Sequence, residues 1–202
     1  DIIAHQENRG VGAAIVTGYL RTLDHEMDAV VVVGADGQMD PSEMTRLLDP
    51  LVDGKADYVK GERLSHPDIL KTMPLIRFLG TVVLTVITRW ITGYRDLRDT
   101  QCGYTAITAD MLRRLPLDSL YPRYGFPNDV LIRLSEKRGR VIDRTITPIY
   151  GRHTSKMRIH RVVLPLASLL LKAALRQIVP GEKKRAMPPL EDGRTPNTQT
   201  YH

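Results

Sequence analysis

The sequence predicts an α/β fold, doubly wound, with a mostly parallel sheet and helices on both faces. Three observations carry that expectation. Val30 to Val33 are consecutive valines, β-branched and apolar, which suits a strand buried on both faces of a parallel sheet. The run stops at Gly34-Ala35, and a polar turn leads to Asp40-Pro41, an N-cap followed by a residue fitted to a first helical turn. A second strand-like run, Asp57 to Gly61, returns after that helix. Strand–helix–strand alternation of this length implies parallel pairing and a right-handed connection.

The elements follow in order. The chain opens on Asp1 rather than Met, and Asp1 to His5 reads as the tail of a strand, so the true beginning of the protein is expected upstream. Asn8-Arg9-Gly10-Val11-Gly12 precedes a helix with Ala14, Ile15, Gly18, Tyr19 and Leu23 at helical spacing. A Gly-x-Gly ahead of a helix lets phosphate approach backbone N–H groups, and it equally makes a plain tight turn. Asp36 and Gln38 fall just beyond the central strand, where ligands sit in open α/β sheets. An acid there suits a divalent cation, since Mg²⁺ favours one or two carboxylates plus substrate phosphates. The bland alternative is a turn, because Asp-Gly is a common turn dipeptide and Asp40 is explained by capping, with Glu43 completing a capping box.

Lys60 and Arg63 are expected at the same sheet edge as Asp36, with a solvated charge pair as the rival reading. Leu75 to Thr92 is apolar nearly all round, so it is either sandwiched in a core or laid on a membrane. Arg98 to Tyr104 is too polar for a core. Thr108 caps a short helix, Ala109 to Leu115. A Pro-rich loop leads to a helix beginning near Asn128-Asp129, where the macrodipole favours the Asp129 carboxylate. Val141 to Tyr150 alternates as a strand.

At 202 residues the chain suits one main domain, given about 100–200 residues per domain. A net charge of +6 favours an anionic partner: nucleic acid, a phosphorylated substrate or an anionic membrane. Aromatic residues make up only 5%, too few for base stacking along a basic groove, which ranks nucleic acid low. The lone cysteine, Cys102, excludes an internal disulfide and is compatible with a reducing compartment. No uncharged apolar run reaches the ~20 residues of a spanning helix. Phe78–Thr88 and Val162–Leu171, bracketed by Arg77/Arg89 and Arg161/Lys172, read as interfacial or buried helices. From Arg144 through Gly181 there is no acidic residue, a composition fitted to anionic lipid. The expected organisation is a domain over 1–158, an apolar, basic membrane-proximal helix over 159–179 and a disordered tail over 180–202.

Several separated motifs occur in the order found in family 2 glycosyltransferases, which have the GT-A fold. The closest likeness is to the dolichyl- or polyprenyl-phosphate sugar transferase branch. His5-x-x-Asn8-x-Gly10-x-Gly12 resembles the segment after the family's second strand. The resemblance therefore implies one βα unit or more upstream, roughly 30 residues each, with the opening strand and turn that hold the nucleotide base in this family. Asp36-Gly37-Gln38-Met39-Asp40-Pro41 resembles its metal motif, with Gly34 where an acid is frequent. Lys60-Gly61-Glu62-Arg63 resembles its Gly-x-Arg strand end, and Asp99-x-Gln101-Cys102-Gly103-Tyr104 its acceptor-side motif. Asn128-Asp129 and Ser155-Lys156-Met157 match its acidic element and its later basic motif.

The resemblance implies a GT-A sheet with C-terminal amphipathic helices and transfer of a sugar, with inversion, from a nucleotide-diphosphate donor to a lipid-phosphate or saccharide acceptor. It implies Asp36 and Gln38 at Mg²⁺ or Mn²⁺. Asn8, Gly10, Arg63, Arg152 and Lys156 would then lie at the donor diphosphate, and Asp99, Gln101, Gly103, Tyr104 and Asn128 on the acceptor side. Asp129 would be the base for a hydroxyl acceptor, or would orient a lipid phosphate, which is already anionic. The implied setting is cell-wall or glycolipid synthesis, peripheral on the cytoplasmic membrane face. Two rivals remain: a sugar-phosphate nucleotidylyltransferase, and a catalytically silent membrane-surface protein.

Overall fold

A computed structural model describes residues 2–149, together with the helical positions Ser168, Leu170, Leu171 and Ala174. The valine run forms β1 (Ala29–Val32), after α1 (Val11–Asp24). A 3₁₀ turn, Pro41–Glu43, then feeds α2 (Met44–Val52). Asp40 caps that turn through its side chain, which accepts the Ser42 N–H at 2.9 Å. Glu43 does not complete a capping box. Its carboxylate instead accepts the Thr147 N–H and hydroxyl at 2.9 and 3.1 Å, tying this turn to the end of the sheet.

The remaining elements are β2 (Tyr58–Glu62), α3 (Ile69–Thr72), α4 (Leu75–Thr92), β3 (Thr105–Thr108), α5 (Ala109–Arg114), α6 (Phe126–Glu136) and β4 (Val141–Thr145). Thr108 caps α5 through the Met111 N–H at 3.2 Å. Gly93, at φ 79°, closes α4 in the left-handed conformation, where a glycine carries no Cβ penalty.

The strand order is β1-β3-β2-β4. β2 and β4 pair parallel, while β3 pairs antiparallel with both β1 and β2. Hence β1, β2 and β4 point the same way, and β3 runs against them. The direct β1–β2 pairing expected from the sequence does not form, because β3 lies between them. Side chains alternate cleanly across the sheet. Val30, Val32, Tyr58, Ile107 and Val141 face a core shared with α1, α5 and α6. Ala29, Val31, Val59, Ala106 and Ile142 face a second core with α2. Helices on both faces make the sheet doubly wound.

Two expectations shift. β1 is half-buried along its length rather than enclosed, since it pairs on one side only among the described residues. Ile2 to His5 form no strand, and Ile2 and Ile3 are exposed, because that side of the described sheet offers them no partner.

α4 turns its faces opposite to the usual arrangement. Thr81, Thr85, Thr88 and Thr92 point inward, while Leu75, Ile76, Leu79, Val83, Val86 and Trp90 are exposed, Trp90 to 71%. It packs on α6, and Leu170 is buried against Ile91 and Ile132. Its 18 residues and mean hydropathy of 1.5 make it the one described helix long and apolar enough to cross a membrane. Its threonine face packs against the rest of the domain.

Of the two glycines in α1, packing requires Gly12 and leaves Gly18 free of contact. A Cβ on Gly12 would stand 2.5 Å from the Tyr121 carbonyl oxygen and 2.7 Å from the Phe126 ring, whereas one on Gly18 would meet nothing within 4 Å. Gly12→Ala should therefore lose about 1–3 kcal/mol of stability, and Gly18→Ala should gain about 0.5–1 kcal/mol. Urea unfolding of both variants checks the pair.

Candidate functional site

The loop before β3 is built around one enclosed carboxylate. Asp99 is fully buried. Arg63 grips it with two bonds, Nε donating to Oδ2 at 2.7 Å and Nη2 to Oδ1 at 3.2 Å. The backbone N–H groups of Gln101 and Cys102 donate to Oδ1 at 3.0 and 3.1 Å. A planar guanidinium matched to a carboxylate in this way is the strong, directional form of ion pair. Its effect is to lock the end of β2 to loop 99–104.

That loop binds the other predicted motifs in turn. Tyr104 Oη donates to the Asp40 carbonyl at 2.9 Å, joining it to the Asp36–Pro41 turn. A Cβ on Gly103 would come within 3.3 Å of the Met39 methyl, so glycine here allows the two loops to touch. Gln101 Nε2 donates to Asn128 Oδ1 at 2.7 Å, which brings in the first turn of α6. Because Val32 and Lys60 both register with Thr105, the exits of β1 and β2 and the entry to β3 share one sheet edge. The predicted positions Asp36, Gln38, Arg63, Asp99, Gln101, Gly103, Tyr104 and Asn128 thus stand on one connected rim.

Individual side chains depart from their expected orientations. Lys60 does not emerge at the edge. It is fully buried, and its Nζ donates to the Cys102 carbonyl. Burial pulls its pKa below the ordinary lysine value. Asp129 is 3% exposed; its Oδ2 accepts the Tyr121 N–H at 2.8 Å and its Oδ1 lies 3.5 Å from Arg133 Nε. A carboxylate so enclosed holds the Pro-rich loop against α6, a placement unlike that of a solvent-accessible base.

Asp36 is exposed, with Oδ1 accepting the Gln38 N–H at 3.1 Å. Among the described residues no group of three His, Cys, Asp or Glu could hold a metal. The fit to Mg²⁺ or Mn²⁺ is that of an open position, one carboxylate whose coordination is completed by substrate phosphates and water. Asn8 and Gly10 border a separate, open hollow of about 1060 Å³ along α1, lined also by His5, Arg21 and His25. Asn8 Oδ1 accepts the Gly10 N–H at 3.0 Å, and the Ala13 N–H donates to the Pro122 carbonyl at 3.2 Å. Part of the expected phosphate-facing backbone is therefore already occupied by protein. Arg152 and Lys156 lie outside the described residues, as does most of the 159–179 helix.

Two features escaped sequence reasoning. Thr85 and Thr100 pair in the interior behind loop 99–104, a contact between distant segments with no local signal. Asp143, on β4 opposite Lys60, accepts the Arg98 N–H. A carboxylate in the middle of a strand pattern was the available clue.

A mixed sheet covered by helices on both faces, with this rim at its strand ends, defines a GT-A-type domain. Its solved counterparts include glucosyl-3-phosphoglycerate synthase from Mycobacterium tuberculosis, in a complex with Mn²⁺, UDP-glucose and phosphoglyceric acid. The two superpose with a TM-score of 0.60 at 18% identity, over 82% of this chain and 55% of that one. The profile described as Glycosyl transferase family 2 matches residues 1–119, and the chain belongs to that family. Relatives include the UDP-N-acetylglucosamine–dolichyl-phosphate N-acetylglucosaminyltransferase of Methanococcus voltae, 30% identical over 75% of this chain and 60% of that protein. The undecaprenyl-phosphate mannosyltransferase of Micrococcus luteus is also 30% identical, over 68% and 56%. The chain spans between 56% and 60% of the length of these two proteins.

Asp143 makes folding stability sensitive to pH. Burial raises its pKa to about 7; the Arg98 N–H and Lys60 oppose the shift, and Asp99 and Glu62 reinforce it. With a folded pKa above the unfolded value, the native state binds more protons between those two points, so stability falls as pH rises through that window. Asp143→Asn should remove this part of the slope between about pH 4 and pH 7. Urea unfolding of both proteins across the range measures the difference.

Proposed function

We propose that the protein transfers a sugar, with inversion, from a nucleotide-diphosphate donor to a polyprenyl-phosphate acceptor while resting on a membrane surface. The observation that carries this reading is the apolar outer face of α4, directly behind the rim built from loops 36–41 and 99–104. A water-soluble acceptor gives no reason for Leu79, Val83, Val86 and Trp90 to stand exposed on one face, since large contiguous apolar patches mark interaction surfaces. Arg77 and Arg89 fall near the ends of the same helix, suiting anionic headgroups.

The enclosed Asp129 favours the same acceptor. A sugar hydroxyl must lose a proton to attack, and needs a base within reach. A lipid phosphate arrives already anionic. Its oxygen attacks the anomeric carbon from the side opposite the departing diphosphate, the new carbon–oxygen bond forms, and the nucleoside diphosphate leaves with the electron pair. Asp129 then acts by holding Tyr121 and the start of α6, where Asn128 meets Gln101.

Negative charge grows on the leaving diphosphate, and groups fixed toward it lower the barrier. Asp36, with Gln38 beside it, would hold Mg²⁺ or Mn²⁺ together with the donor phosphates; a bound divalent ion supplies charge neutralisation. Asn8 and Gly10 are assigned to the donor from their hollow along α1. Arg152 and Lys156, in the stretch from Arg144 to Gly181 that lacks acids, are assigned to the diphosphate. Cys102, a buried free thiol, fits the reducing cytoplasmic face.

Asp36→Ala should lower metal-dependent transfer by about a hundredfold or more and leave the thermal melt unchanged, because the side chain is exposed. Transfer that persists in chelator would remove the metal role. Liposome flotation checks the membrane role. The protein should float with anionic vesicles, less so at high salt, and Val83→Asp with Val86→Asp should abolish flotation without shifting the melt.

A further inference from the structure

α4 places hydroxyls on its buried face and hydrocarbon on its exposed one, the reverse of an ordinary surface helix. Its outer face is accounted for by the membrane. The inner face needs its own explanation, because threonine is a modest helix former and an aliphatic side chain would fill the same space.

Thr85 supplies one for its own position among the four inward threonines. It is 4% exposed, and its Oγ1 accepts the Thr100 N–H at 3.2 Å. The two hydroxyl oxygens also lie 3.2 Å apart. Thr100 is fully buried and directly follows Asp99 in the loop. Gln101 Nε2 donates to Thr100 Oγ1 at 2.9 Å as well as to Asn128 Oδ1. A continuous chain of polar contacts therefore runs from the inner face of α4 through Thr100 and Gln101 to the first turn of α6. It ends at Asn128 Nδ2, a buried donor with no partner among the described residues.

We infer that Thr85 is a positioning residue: from the membrane-facing helix it sets loop 99–104, and so fixes where Gln101 and Asn128 stand on the acceptor side of the rim. The geometry gives it a distinct task from Asp99. Arg63 and Asp99 bind the loop to the sheet, whereas Thr85 binds it to the helix that meets lipid. The inference rests on the reading of loop 99–104 as acceptor-side.

The test compares Thr85→Val, which keeps shape and loses the hydroxyl, with Thr85→Ser, which keeps the hydroxyl, in the intact protein. Hydrogen exchange should speed up at residues 99–104 in the valine variant, with sheet amides unchanged, and return toward wild type in the serine variant. With a short-chain polyprenyl phosphate as acceptor, kcat/KM for the acceptor should fall by about five- to tenfold in Thr85→Val, the scale of one lost hydrogen bond. KM for the nucleotide-sugar should hold, and serine should restore the rate. Unchanged loop exchange, equal losses in both variants, or a matching rise in donor KM would overturn the inference. If wild-type protein transfers nothing to lipid phosphate, the functional reading fails, and faster loop exchange in the valine variant alone would still support Thr85 as what seats the loop.

Discussion

The Asp99 carboxylate is the constraint on which the rim depends. A fully enclosed charge is tolerated only when its oxygens are matched by donors, and Asp99 meets that condition with a guanidinium and backbone N–H groups drawn from two segments. The arrangement fixes three things together: the exit of β2, the curvature of loop 99–104, and the entry into β3. Gly103 and Tyr104 then reach the Asp36–Pro41 turn only because the loop has that curvature. Charge burial here serves geometry. The residues free to meet a ligand are those the network holds in place, and Asp99 itself is shielded from any ligand.

The sequence made the local features readable and left the long-range ones hidden. Val30–Val33, the Asp40 cap and the Thr108 cap each carry their structural reason within a few residues; both caps formed, and the valine run became a strand, half-buried rather than enclosed. β3 was missed because its four residues directly follow a polar loop and are too few to show a period. Lys60 and Arg63 read as cations emerging at the edge beside Asp36, or as a solvated charge pair, since nothing local says that Cys102 and Asp99 will engage them. The motif residues meet at one sheet edge, but which of them face inward is a property of the tertiary packing.

α4 shows the same limit in another form. A helix apolar nearly all round gives no sign of which side faces the protein. Its threonines turn inward, and one of them, Thr85, accepts the Thr100 N–H of the loop, a group that valine or leucine would leave unpaired. A membrane-facing helix can thereby be docked on a protein through polar contacts, while its hydrocarbon faces away. One helix thus joins an exposed apolar surface to the loop of the candidate site.

The central place of β3 has a consequence for how the chain assembles. β1 and β2 do not pair with each other, and within the sheet they are linked through a strand encoded far downstream. Pairings between distant segments slow folding, since loop closure precedes the contacts that reward it. On the ribosome, α4 emerges before β3 does. The most lipid-loving segment of the described chain is therefore made while the sheet is still in two pieces, and productive folding has to keep that segment from capturing other apolar surfaces in the interval.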